Sequence, residues 1–142
     1  MKSIIVAMLA LFSSFTLANE ESNSSLSHLL YFEQMDVYAY VVFDEAPTLQ
    51  KNSPMILELK DHLLNEVNYD DYSINVVLWL PSSERGTFPT KLIHQLDENG
   101  EVISGKYLVD NVWFNQPGEW EVRIYVTNFE GETEIRSFTL VF

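Results

Sequence analysis

The chain has 142 residues, no cysteine, and 21 acidic against 8 basic residues, for a formal net charge of −13. Without cysteine it has no disulfide, thiolate metal site or cysteine nucleophile, so packing alone must stabilise it. A field of that sign repels nucleic-acid phosphates and anionic lipid surfaces, so both are poor partner candidates and no nucleic acid is expected. The N-terminus then reads as a secretory signal peptide over residues 1–18. Lys2 is followed by an apolar run over residues 4–12 and by Thr16-Leu17-Ala18, with small residues at and two before the cut. Ser13, Ser14 and Thr16 interrupt the run well short of the roughly 20 apolar residues a membrane span needs. The expected product is periplasmic or secreted, with no stable membrane insertion after cleavage.

Residues 19–35 begin Asn/Glu/Ser-rich and are expected to form a flexible leader. Within them Leu26, Leu29, Leu30 and Phe32 could make a short helical or extended lead-in on the edge of the domain. Residues 36–142 carry the period-two pattern of short strands. Val37, Ala39, Val41 and Phe43 alternate with Tyr38, Tyr40 and Val42, and Met55, Leu57 and Leu59 with Glu58 and Lys60. Residues 74–80 are nearly continuous in apolar side chains, as in a strand covered on both faces, and Pro81 stops them. Residues 90–96 lead through Asp97-Glu98-Asn99-Gly100 into residues 101–103, a hairpin signal. A strand is expected over 106–114, another from Trp120 through Val126 after the Pro117-Gly118 turn, and a last one over 134–142. About seven strands at this spacing predict an all-β fold, an immunoglobulin-like antiparallel β-sandwich.

Catalytic patterns are missing. The sequence has no G-x-S-x-G elbow, no H-E-x-x-H and, with five glycines, little from which to build a phosphate loop. His28, His62 and His94 fall in three separate elements, and Asp70-Asp71 reads as a solvated loop pair. Asp97, Asn99 and Glu101 have the alternate oxygens of a calcium loop, but the glycine comes early and the closing bidentate acid is missing, so a hairpin turn accounts for them. Trp79 and Trp120 fall on the apolar phase of their strands and are expected in the core. Trp113 beside Phe114 is the expected exposed aromatic.

Val77-Leu78-Trp79-Leu80-Pro81, then Gly86 and Pro89, then Asn111-Val112-Trp113-Phe114-Asn115-Gln116-Pro117-Gly118-Glu119-Trp120-Glu121-Val122-Arg123 resemble the YtkA-like domain, an extracytoplasmic immunoglobulin-like module related to the FixH-like proteins. The resemblance covers most of residues 39–142 and is strongest at Pro-Gly-x-Trp. It implies a β-sandwich outside the cytoplasm, a link to copper handling or respiratory oxidase assembly, and no established catalysis. Relatives carry M-P-x-M-x-H-G in one loop and a methionine before Pro-Gly in a second. Here Leu80, Ser83, Arg85 and Gln116 hold those four positions. None is the soft thioether or imidazole ligand that copper(I) favours.

The expectation is therefore a non-enzymatic binding module with no cofactor, whose contact surface is the rim formed by residues 82–88 and 115–118. Ser83, Arg85, Phe88, Trp113 and Gln116 are the expected contacts with a protein partner of the cell envelope, Arg85 through a carboxylate and the two aromatics through apolar area. Two alternatives stand beside it. One is copper handling through residues outside the pattern, such as His28, His94, Met35 or Met55. The other is carbohydrate binding on a flat face formed by Trp113 and neighbouring tyrosines.

Overall fold

A computed structural model of the protein describes residues 26–68 and 70–142. The expected signal peptide and residues 19–25 of the expected leader lie outside the described residues. The chain forms β1 (Ser27–Phe32), β2 (Val37–Phe43), β3 (Met55–Asp61), β4 (Tyr72–Leu80), β5 (Arg85–Gly86), β6 (Lys91–Leu96), β7 (Val102–Asp110), β8 (Glu119–Asn128) and β9 (Thr133–Val141). These make an antiparallel β-sandwich, with sheets ordered β1-β2-β3-β7-β6 and β5-β4-β8-β9. β2, β3, β7 and β6 stand where an immunoglobulin sandwich has its A, B, E and D strands, and β4, β8 and β9 where it has C, F and G.

Alternation builds the core. β2 and β3 bury Val37, Ala39, Val41, Phe43, Met55, Leu57 and Leu59, while β8 buries Trp120, Val122, Ile124 and Val126 from the facing sheet. Trp120 is 1% exposed, meets Phe114 edge-on at 5.6 Å, and donates its indole N–H to the Gln116 carbonyl at 2.9 Å. It sits in the core as its strand phase predicts.

Four features differ from the sequence reading. First, the sandwich starts earlier than residue 36, because Ser27–Phe32 pairs along β2 as an edge strand; the extended lead-in is part of the sheet. Second, residues 102–110 form one strand, β7, which Asn111 ends by turning to φ 59°. Trp113 and Phe114 lie beyond it and bridge to Asn52 and Leu49. Gly105 allows β7 to pass β3, since a Cβ there would stand 2.8 Å from the Leu59 carbonyl oxygen. Third, Trp79 is not in the core. Val76, Leu78 and Leu80 take the inward phase, which turns Trp79 to the outer face, where the Arg123 guanidinium lies 5.1 Å over its ring. Fourth, a two-residue strand, β5, pairs with the end of β4.

The two lateral seams of the sandwich are built differently. Where β1 meets β9, the Glu134 carboxylate is 4% exposed and accepts the N–H groups of Glu33 and Gln34, each at 3.0 Å, while also pairing with Arg136. Arg136 donates to the Tyr31 carbonyl at 3.0 Å, and the His28 ring stacks on Phe138 at 3.8 Å. Where β4 meets β6, the Thr90 hydroxyl donates to the Val76 carbonyl at 2.7 Å, and no comparable charged staple joins the strands among the described residues.

One end of the sandwich uses one turn three times. Asp61, Asp97 and Asn128 each accept the N–H groups two and four residues on through Oδ1, and the residue three on has positive φ: Leu64 at 62°, Gly100 at 79° and Gly131 at 85°. Those hydrogen bonds, Asn65 first, hold the Asp61 carboxyl below its usual range. Only the first turn puts a side chain where its sisters have glycine, and both Leu63 and Leu64 are exposed there. The same end gathers Glu33, Asp36, Glu66, Asp70, Asp71, Glu98, Glu101, Glu130 and Glu132 in its turns. The opposite rim mixes Lys51, Arg85 and Lys91 with its acids.

Candidate functional site

The rim opposite the acidic end is assembled from two connections that the β4–β8 pairing brings side by side. Pro81–Ser83 forms a short 3-10 turn after β4, closed by Glu84 at φ 50°. The Gln116 amide donates to the Ser83 hydroxyl at 2.9 Å, so these two expected site residues touch. Arg85 lies opposite Leu80 in the β4–β5 pair with its side chain exposed. Gly118 comes close to the same place: a Cβ there would stand 2.9 Å from Leu80 Cδ1. Leu80 itself is wholly buried and belongs to the core, so it adds nothing to the rim surface.

Phe88 and Trp113 line one groove of about 410 Å³ together with Thr87, Asn111 and Asn115. Phe88 is 77% exposed and Trp113 37%. Asn111 fixes the groove wall by accepting from the Trp113 indole at 3.0 Å while donating to the Pro89 carbonyl at 2.7 Å. Both ends of its amide are thus engaged within the wall, and the groove presents ring surface more than hydrogen-bonding groups. Of the five expected contacts, the structure pairs Ser83 with Gln116 and Phe88 with Trp113, and sets Arg85 between them along the chain.

The residue that positions this wall is Asn52, which carries no signal in the sequence. Its amide N–H donates to Asp110 at 2.7 Å and its oxygen accepts the Val112 N–H at 2.9 Å. The Asn52 amide, aided by the Asn111 backbone N–H, holds the Asp110 carboxyl below its usual range. This clamp ties the loop before β3 to the Asn111 turn across 58 residues of chain, a pairing only the fold can reveal.

The residues considered for metal are dispersed. His28 lies on β1 against Phe138, and His94 on β6 with its ring 5.0 Å from Tyr107, on opposite edges of the five-stranded sheet. Met55 is wholly buried in β3, and Met35 lies in the turn after β1. Among the described residues no group of three His, Asp or Glu side chains is placed to hold a metal ion. His62 pairs with Asp36 at 3.0 Å, and the hydrogen bond from Tyr31 to that carboxylate pushes the phenol up to about 12.

No protein-family model matches the sequence, and comparison with curated proteins gives no match. The fold is similar to a solved structure, a DUF4426 family protein from Pseudomonas aeruginosa, with a TM-score of 0.56 and 9% identity, covering 82% of this chain and 94% of that one. At that identity the likeness concerns the fold alone.

Proposed function

We propose that this protein is a non-catalytic, exported binding module of the cell envelope, related to the YtkA-like domains, that engages a protein partner through the rim groove. The observation that carries this reading is the pair Phe88 and Trp113, exposed on one groove whose wall is held by the hydrogen bonds of Asn111. Exposed aromatics on a fixed wall bury much area at little entropic cost, the usual make-up of an interface anchor. A sugar site of the expected kind would set Trp113 beside tyrosines on a flat face, and no tyrosine lines this groove among the described residues. Arg85 at the same rim adds a charge that a partner carboxylate can engage. An accessory role in oxidase or envelope assembly fits such a module.

The test is site-specific photo-crosslinking in the cells that make the protein, with the probe at Phe88, at Trp113 and, as a control, at Glu101. The expected result is one common protein product from the two rim positions and none from the control. Equal products from all three positions, or none, would overturn the reading. So would tight stoichiometric copper(I) binding in a chelator competition that is lost on changing His94 or His28.

A further inference from the structure

β4 is hydrogen-bonded along β8 from Tyr72 to Trp79, but on its other side β5 covers only Trp79 and Leu80. Below that, the Thr87 N–H reaches the Leu78 carbonyl at 3.4 Å and the Thr90 hydroxyl reaches the Val76 carbonyl. Backbone groups alternate sides along a strand, so the even-numbered residues of β4 aim theirs at this edge. Those of Tyr72 and Ile74 therefore face it with no strand of the described residues beside them. The β4 sequence, YSINVVLWL, contains no charge and no proline, the devices that ordinarily blunt such an edge.

A second cavity, about 260 Å³, runs along the same edge between residues 75–78 and residues 87–89. It shares Thr87 and Phe88 with the rim groove, so the two adjoin. We infer that the open edge of β4 takes up an extended segment of a partner protein as an added antiparallel strand, seating an apolar side chain against Phe88. The inference rests on the rim reading, because Phe88 belongs to both surfaces. Charge sets the direction and the chemistry of the segment. Asp70 and Asp71, both exposed, lie at the foot of β4, and Arg85 lies opposite Leu80 at its head. An antiparallel strand ends at the foot, so its C-terminal half carries lysine or arginine. A free C-terminal carboxylate would meet the two aspartates, so the segment is internal. A second copy of this chain is a poor occupant, since it brings its own pair of aspartates and its own net charge of −13.

The probe is a displayed library of random nine-residue peptides panned against the full chain. Enriched peptides are expected to alternate apolar residues, to carry basic residues toward the C-terminus, and to bind more weakly at high salt. A synthetic copy of the best peptide, N-methylated on alternate amides, should lose about tenfold in affinity in one parity and keep it in the other, as expected when one or two edge hydrogen bonds are removed. Phe88→Ala should weaken binding by a similar factor, and Asp70→Asn with Asp71→Asn should erase the basic preference. Failure to enrich, or equal sensitivity of both methylation parities, would overturn strand addition. Binding that needs Phe88 and Trp113 but ignores methylation would also overturn it while keeping the rim reading. A peptide that passes the parity test yet is indifferent to both aromatics would keep strand addition and remove the rim. Dimerisation of the chain alone through β4, seen by sedimentation, would assign the edge to a second copy and overturn the partner.

Discussion

The two lateral seams of this sandwich solve one problem in opposite ways. At β1 and β9 a buried carboxylate, a guanidinium and a ring stack hold one sheet's edge to the other's, and each backbone group they engage comes from the turn or strand beside them. At β4 and β6 a threonine hydroxyl and a two-residue strand cover the head of the edge and, among the described residues, leave its foot without a partner strand. A fold of this size does not need both seams sealed, because the stabilising burial lies between the sheets. The seam with few constraints can then serve binding.

Mutations can break or sharpen that contrast, and the shared core sets the scale. Trp120→Ala should cost roughly 3 to 5 kcal/mol, the range for emptying a buried aromatic site, and in a domain of ordinary stability that approaches unfolding. A thermal melt that hardly moves would contradict its placement in the core between the sheets. Next comes the closed seam: Glu134→Ala should cost about 2 kcal/mol, since it takes a buried carboxylate away from the Glu33 and Gln34 N–H groups and from the part-exposed Arg136. Hydrogen exchange should rise in β1 before it rises in β3. If protection falls uniformly, the staple is not what seals that side.

The connection from β3 to the foot of β4 offers a gain instead. Leu64 occupies the left-handed position that Gly100 and Gly131 fill in the sister turns, so Leu64→Gly should stabilise by roughly 0.5 to 1 kcal/mol. A chemical denaturation midpoint that falls would show that the leucine makes a compensating contact. The smallest effect belongs to the open seam. Thr90→Val should cost no more than about 1 kcal/mol, because it removes one neutral hydrogen bond and keeps the shape of the side chain. A loss as large as that of Glu134→Ala would mean that the two seams are equally structural.

Most of the sandwich is legible in the sequence because its strands alternate. β2 and β3 can be read directly from Val37-x-Ala39-x-Val41-x-Phe43 and Met55-x-Leu57-x-Leu59. Where alternation fails, so does the reading. The run from Ile74 to Leu80 is apolar on both phases, so nothing local says that Trp79 looks outward; that follows from the tertiary placement of Leu78 and Leu80 against the facing sheet and of Arg123 beside the indole. β5 is too short to leave a pattern, and β1 lies in a stretch whose polar start resembles a leader. The rim was legible as a place, since the turn after Leu80 and the Pro117-Gly118 turn had to adjoin once the strand order was known. Its wall was not. Asn52 and Asp110 are ordinary polar residues until the fold lays one loop across the other, and Glu134 reads as one more surface acid until the β1–β2 turn closes over it.

The uneven spread of charge has a physical consequence of its own. With acidic turns crowded at one end and a mixed rim at the other, the molecule is an electric dipole lying along its strands. Any anionic surface exerts a torque on such a body, over about a Debye length, and swings the acidic pole outward. The aromatic groove then faces the surface before anything has touched it. Orientation then precedes recognition and narrows the search to one end of the sandwich, and raising the ionic strength blurs that orientation.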